Sequence, residues 1–333
     1  MSNPVLVEVT RGPRVESLHR GAIAVVDAAG AALLAHGDVE RPVFPRSAVK
    51  VFQGLPLVES GAADAYGFGE KELSLATASH SGEPEHVRLA GDILARAGLD
   101  EGRLECGCHW PSNFDVARAM VQRGEEPGQL HNNCSGKHSG FLCTAVHLGE
   151  DPTGYVGKDH PVQRRARAAM EDLTGATLGE DVRGTDGCSI PNYAAPLAGF
   201  ALGFAKLAGG TGVSAERATA GRRLMQAAMA EPWYMSGTGR ACVALMQAAP
   251  GRVYVKTGAE GVFCGGVPEL GLGFALKIDD GAGRASEVAA AATLAFIFAK
   301  ADPQLAEAYS ALAHKTLRNW NKIEVGTIRA KIA

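Results

Sequence analysis

The sequence predicts a mixed α/β protein of the α+β kind, with an antiparallel sheet built from both chain ends and a mainly helical region between them. Three observations carry this. Short, partly β-branched apolar runs broken by turn residues fill the first 37 positions. Comparable strand character returns only after position 251. Between them, apolar residues recur at helical rather than alternating spacing. The expected division is a sheet lobe with flanking helices over 1–46 and 240–333 and a mainly helical lobe over 47–239, within one folded unit spanning 1–333.

The first strands are read at Val5-Leu6-Val7-Glu8-Val9, at Gly21 to Asp27 and at Ala31 to Ala35, the last two as a hairpin around Ala29-Gly30. Pro42 and Pro45 then interrupt extended structure, and a helix can open at Ser47, run toward Glu59 and stop at Gly61. Helical periodicity follows over Glu85–Ala97, Pro161–Leu173 and Ala215–Ala230. Arg252 to Lys256 and Leu270 to Ile278 read as strands separated by Gly-rich turns, before an Ala-rich helix over Ala285–Lys300.

The chain has 333 residues, 46% of them hydrophobic and 21% charged, so it is long enough for a large core and too apolar for wholesale disorder. A net charge of -3 gives no basic field for a phosphate backbone, which argues against nucleic acid as a partner. The N-terminus lacks a basic segment followed by an apolar core, and the most apolar late stretch, Ala289 to Ala299, is short. A cytoplasmic protein without membrane attachment is expected. Seven cysteines, an odd number, argue against a disulfide framework and for buried thiols, with room for one metal or redox site.

Four stretches carry chemistry. In Ser47-Ala48-Val49-Lys50, a helix would put a hydroxyl and an amine one turn apart on the same face, where a neutral amine can act as base for the hydroxyl. The plainer alternative is an N-capping serine with a solvated lysine behind it. Thr77-Ala78-Ser79-His80-Ser81-Gly82-Glu83 offers a second serine, but adjacent residues rarely face each other, so a Ser79-His80 dyad is geometrically weak. Lys256-Thr257-Gly258 closes a strand, and a strand-borne K-T-G downstream of a helix-borne S-x-x-K is a pairing used by penicillin-binding proteins and β-lactamases. The fourth is His131-Asn132-Asn133-Cys134-Ser135-Gly136-Lys137-His138 with Thr185-Asp186-Gly187-Cys188-Ser189-Ile190-Pro191. Spacing puts Cys134 one helical turn from His138, and Cys188 can join them in a soft, zinc-like site or remain a small buried hydrophobe. Cys106-Gly107-Cys108-His109 is spaced too tightly for a zinc knuckle and reads as structural.

Taken together, P-R-S-A-V-K, A-S-H-S-G-E, H-N-N-C-S-G-K-H, D-G-C-S-I-P and V-K-T-G-A-E-G resemble the rhizobial-type, or class 3, L-asparaginases over nearly the whole chain. The resemblance implies a fold similar to serine β-lactamases and penicillin-binding proteins and hydrolysis of L-asparagine to L-aspartate and ammonia by a homodimer. It also implies two Ser-Lys tandems, Ser47 with Lys50 and Ser79 with Lys256, and a zinc held by Cys134, Lys137 and Cys188. Lys137 thereby displaces His138 as the expected nitrogen ligand. Arg46, Asn133, His138 and Asp186 are the candidates for binding substrate. With two lysines at one site, either amine can stay neutral while the other is charged.

Three rival readings remain at this point: another amidase of the serine β-lactamase and penicillin-binding class, a zinc-dependent amidohydrolase centred on Cys134, His138 and Cys188, and a catalytically silent amino-acid sensor.

Overall fold

The computed structural model describes residues 2–332. The chain gathers into two compact units, one of Met1–Ala48, Ala195–Gly209 and Ala244–Ala333, the other of Val49–Ala194 and Gly210–Val243.

The first unit is built on an eight-stranded antiparallel sheet. Its strands run, in spatial order, His314–Arg318, Glu324–Ala330, Val5–Arg11, Arg14–Asp27, Leu272–Ile278, Val262–Val267 and Tyr254–Thr257, with Ala32–His36 paired beside Arg14–Asp27. The long second strand joins the two chain ends: Arg14 to Arg20 pair with the first strand, and Gly21 to Asp27 with Leu272–Ile278. Gly21 to Val26 are all buried, the pattern of a strand covered on both faces rather than one. The helix Leu197–Gly209 packs on this sheet, and its backbone rests so close that a Cβ at Gly273 would lie 2.2 Å from Ala201 O and 2.2 Å from Ala205 N. The helix Gly283–Phe298 packs on the sheet as well, with Pro303–Leu312 against it.

A sheet from both chain ends with a helical middle is as the sequence predicts. The details differ where local signals were weak. Val262–Val267, inside the expected Gly-rich turn region, is a fully buried strand whose Gly265 is required because a Cβ there would meet the Phe274 ring and Tyr254 O at 2.5 Å. In the hairpin, His314–Arg318 carries mostly exposed polar residues, and neither it nor Glu324–Ala330 offers an apolar alternation to read. Leu197–Gly209 lies inside the stretch expected to form the helical lobe yet packs with the sheet.

The second unit surrounds the helix Lys50–Glu59, buried from Lys50 to Leu57, against which Ser135–His147, Pro161–Thr174 and Ala215–Ala230 pack. Pro84–Arg96 and the short hairpin of Arg183–Thr185 with Pro191–Tyr193 belong to the same unit. Among the described residues no helix is long and apolar enough to cross a membrane.

Candidate active site

Ser47 is not a helix cap. It lies in a 3₁₀ turn, Arg46–Val49, and the α-helix begins only at Lys50, with Val49 at the N-cap making no side-chain capping bond. Arg46 has φ of 51°, a left-handed conformation that side chains other than glycine adopt rarely. The turn bearing Ser47 therefore starts from a sterically costly residue. Opposite it in the same unit is the end of the Lys256-Thr257 strand. A Cβ on Gly258 would come 2.6 Å from Pro45 O and 3.1 Å from Ala48 N, so only glycine lets the K-T-G strand lie this close to the Ser47 segment. Lys256 is 1% exposed, which removes the reading of a solvated strand end, and its Nζ donates to Thr257 O at 3.0 Å.

Lys50 is likewise buried, at 1% exposure, and its amine is fully engaged within the helical unit. Nζ donates to Ala78 O, lies 3.0 Å from Ser79 Oγ and 3.1 Å from Cys134 Sγ. The carbonyl can only accept, whereas the serine hydroxyl and the thiol can each take either role. Lys50 is thus placed to exchange a proton with Ser79 without moving. Ser79 itself is fixed through its backbone, its N–H donating to Met235 O at 3.0 Å, while the next N–H, that of His80, donates to Asn133 O at 3.1 Å.

The Ser79-His80 dyad does not form. Gly82 N–H donates to His80 Nδ1 at 3.1 Å, so Nε2 carries the proton and donates to Ser135 Oγ at 2.9 Å, which in turn donates to Leu130 O. Burial holds this imidazole neutral, well below its ordinary pKa, with His86 and Lys50 adding to the effect.

The cysteine cluster is adjacent. Cys134 precedes the buried helix Ser135–His147, and Asn132 fixes it by accepting from Cys134 N at 2.8 Å while donating to Cys106 O at 2.9 Å. Cys188 comes from the turn of the short hairpin, where Ser189 takes a φ of 74° and Ser189 N–H bonds back to Asp186 O. Lys137 Nζ lies 3.2 Å from Cys188 Sγ, and Cys188 Sγ lies 3.5 Å from Asp186 Oδ2. Cys134 is pulled well below the usual thiol range, first by its hydrogen bond with Cys188 and then, against burial, by the Lys50 and Lys137 charges. The same bond and burial push the Cys188 thiol up. Burial opposes the Lys137 ammonium, but Cys188, Cys134 and Asp186 outweigh it and raise its pKa.

Among the described residues no three His, Cys, Asp or Glu side chains gather closely enough to hold a metal ion, so the Cys134–His138–Cys188 set allowed by spacing does not form. His138 turns its Nδ1 to Tyr155 Oη at 2.6 Å, and among the described residues its buried Nε2 has no hydrogen-bond partner. Two sulfurs and the Lys137 amine do converge, a donor set with the softness that zinc favours. Of the substrate-binding candidates, Asn133 Oδ1 lies 3.0 Å from Cys134 Sγ, Asp186 contacts Cys188, His138 adjoins the cluster in sequence, and Arg46 belongs to the sheet unit. Two contributors escaped the sequence reading. Tyr155 sits in a Gly-rich loop with no motif around it, and His109, read as structural, accepts from Asn133 N at 2.9 Å.

Comparison with known proteins assigns the family. The sequence profile of L-asparaginase II matches residues 7–330. No curated protein gives a significant match. Solved structures resembling the chain include a β-lactamase from Mycobacterium bovis (16% identity, TM-score 0.38, covering 88% of this chain and 94% of that one). They include Mglu (16% identity, TM-score 0.38, 84% of this chain and 67% of that longer one) and the D-alanine carboxypeptidase AmpC from Burkholderia cenocepacia (14% identity, TM-score 0.39, 80% and 90%). At these scores the likenesses say nothing about this chain's chemistry, and the profile match over nearly its whole length decides the family. The chain belongs to the L-asparaginase II family and is an amidohydrolase, an L-asparaginase.

Proposed function

We propose that this enzyme hydrolyses the side-chain amide of L-asparagine through a serine nucleophile, Ser47, served by two lysines. The Ser47 oxygen attacks the amide carbonyl as its proton passes to Lys50, three residues on. The tetrahedral adduct collapses, the C–N bond breaks, and ammonia leaves with a proton returned through Ser79 and Lys256. Water then hydrolyses the aspartyl ester, giving L-aspartate and restoring Ser47. Lys50 must be in its free-base form at the moment it accepts the Ser47 proton. Backbone N–H groups near Ser47 would stabilise the oxyanion, each worth ~10²-fold or more. The Ser79 N–H is not among them, because Met235 O already takes it. The observation that supports the proton path is Lys50 itself, buried and within hydrogen-bond distance of Ser79 Oγ, so that a proton taken from Ser47 can pass on to Ser79.

Zinc fits beside this chemistry. Cys134, Lys137 and Cys188 would hold it, and when bound it would supply a fixed positive charge for orienting a carboxylate or amine of the substrate. Arg46, Asn133, His138 and Asp186 are the residues we assign to substrate placement, and a homodimer in the cytoplasm is the assembly and setting the family resemblance implies. The test is ammonia release from L-asparagine, D-asparagine, L-glutamine and β-aspartyl peptides, with and without added zinc. L-asparagine should be preferred clearly. Equal turnover of glutamine, or activity on β-aspartyl peptides alone, would contradict the assignment.

A further inference from the structure

Ser79 sits on a segment that is fastened at intervals to one turn, residues 235–240. Ser79 N–H donates to Met235 O at 3.0 Å and Ser81 Oγ donates to Ser236 O at 2.9 Å. Glu83 receives both Thr238 donors, the backbone N–H on Oε1 and the hydroxyl on Oε2, each at 2.8 Å. Trp233 Nε1 donates to the same threonine oxygen at 2.9 Å, which leaves the hydroxyl proton for Glu83 alone. Between these fastenings stands Gly237, with φ of 112°, where a Cβ would meet Ser81 Oγ at 2.1 Å and Glu83 Oε1 at 2.8 Å. The far side of the segment is tied by His80 to Asn133 and Ser135.

Glu83 is the unusual member. It is 9% exposed, and two hydrogen bonds from one threonine, Thr238, reach the two oxygens of its carboxylate. Its charge lies at the N-terminus of the helix Pro84–Arg96, where the helix dipole favours an anion. A buried carboxylate held in this way is a rigid two-point anchor, because losing either Thr238 bond would leave a buried charge short of a donor.

From this geometry we infer that Glu83 is a positioning residue: by clasping Thr238 it locks the Gly237 turn against the Ser79–Glu83 segment and so fixes the Ser79 hydroxyl beside Lys50. The inference rests on the reading that Ser79 takes part in proton transfer. The clasp matters because proton transfer from a serine depends on sub-ångström placement of its oxygen, and displacement of about 1 Å by a remote change can cost ~10²-fold.

The test compares kcat and KM for L-asparagine in Glu83→Ala, Glu83→Gln, Thr238→Val and Thr238→Ser, with circular dichroism and thermal unfolding on each. Glu83→Ala should lower kcat at least ~10-fold with KM within ~2-fold, whereas Glu83→Gln, which can still accept from the Thr238 N–H, should recover most of the loss. Thr238→Ser keeps both bonds and should behave as wild type, with Thr238→Val between. Wild-type kcat in folded Glu83→Ala, or Glu83→Gln no better than Glu83→Ala, would overturn the inference. If Glu83→Ala fails to fold, the Thr238 pair decides alone: equal kcat in the two would also overturn it. Ser79→Ala separates the two levels. Unchanged activity there removes the proton-transfer reading itself, while its loss beside an unaffected Glu83→Ala removes only the clasp.

Discussion

Lys50 and Cys134 are held amine to sulfur at 3.1 Å, both nearly inaccessible to solvent. This contact makes one cysteine of the pair different from the other, since Cys188 is bonded to Lys137 instead. Both cysteines belong to the proposed zinc set, but only Cys134 also touches the proposed base.

The two should therefore separate on substitution. Cys134→Ala and Cys188→Ala are each expected to lower zinc content measured by elemental analysis. Cys134→Ala should additionally reduce kcat by ~10- to 100-fold, the worth of one hydrogen bond to a charged group, while Cys188→Ala costs kcat less. Equal effects on kcat would show that the Lys50 contact has no bearing on turnover.

Gly258 tests the approach of the K-T-G strand to the Ser47 turn. Gly258→Ala introduces a methyl 2.6 Å from Pro45 O, which must push the strand end and the Ser47 segment apart. Overpacking of this kind costs about 1–3 kcal/mol. The expected result is a modest drop in urea midpoint with a fall in kcat of ~10-fold or more. A variant less stable but fully active would mean that the spacing of these segments does not matter to the chemistry.

Buried neutral histidines make stability depend on pH. Burial first, helped by His86 and Lys50, lowers the His80 pKa well below its ordinary value, and burial also lowers that of His86, stacked on Trp233 at 4.1 Å. Below the ordinary imidazole pKa of about 6.5 the unfolded chain takes up protons that these folded imidazoles refuse. Their stabilising contribution is thus complete above that pH and is lost as pH falls through it toward the folded values, at up to about 1.4 kcal/mol per pH unit for each group. Urea titrations at pH 7.5 and pH 5.5 should show this slope, shallower by about one proton in His80→Asn. An unchanged slope in the variant would contradict the buried neutral state.

The strongest sequence signals translated directly into structure. Gly21 to Asp27 and the helices at Pro161–Thr174 and Ala215–Ala230 appear where apolar periodicity placed them, because each buries the face that its pattern defines. Val262–Val267 was hidden because its glycines, which in sequence resemble a turn, serve the close approach of neighbouring side chains and backbone. At the candidate site the residue types were legible and the partners were not. Lys50 could be paired with Ser47 from spacing alone, but its contacts with Ser79 and Cys134 join residues 29 and 84 positions away. Spacing also favoured His138 over Lys137, since one helical turn aligns His138 with Cys134, and only the fold turns that imidazole to Tyr155. The capping role first open to Ser47 fails for a local reason, the 3₁₀ turn that delays the helix to Lys50.

The central claim is that Ser47 is the nucleophile. Ammonia release from L-asparagine by Ser47→Ala, in protein whose circular dichroism and thermal unfolding match wild type, addresses it most directly. The account predicts a loss of at least ~10³-fold in kcat. Activity near wild type in that folded variant would contradict it.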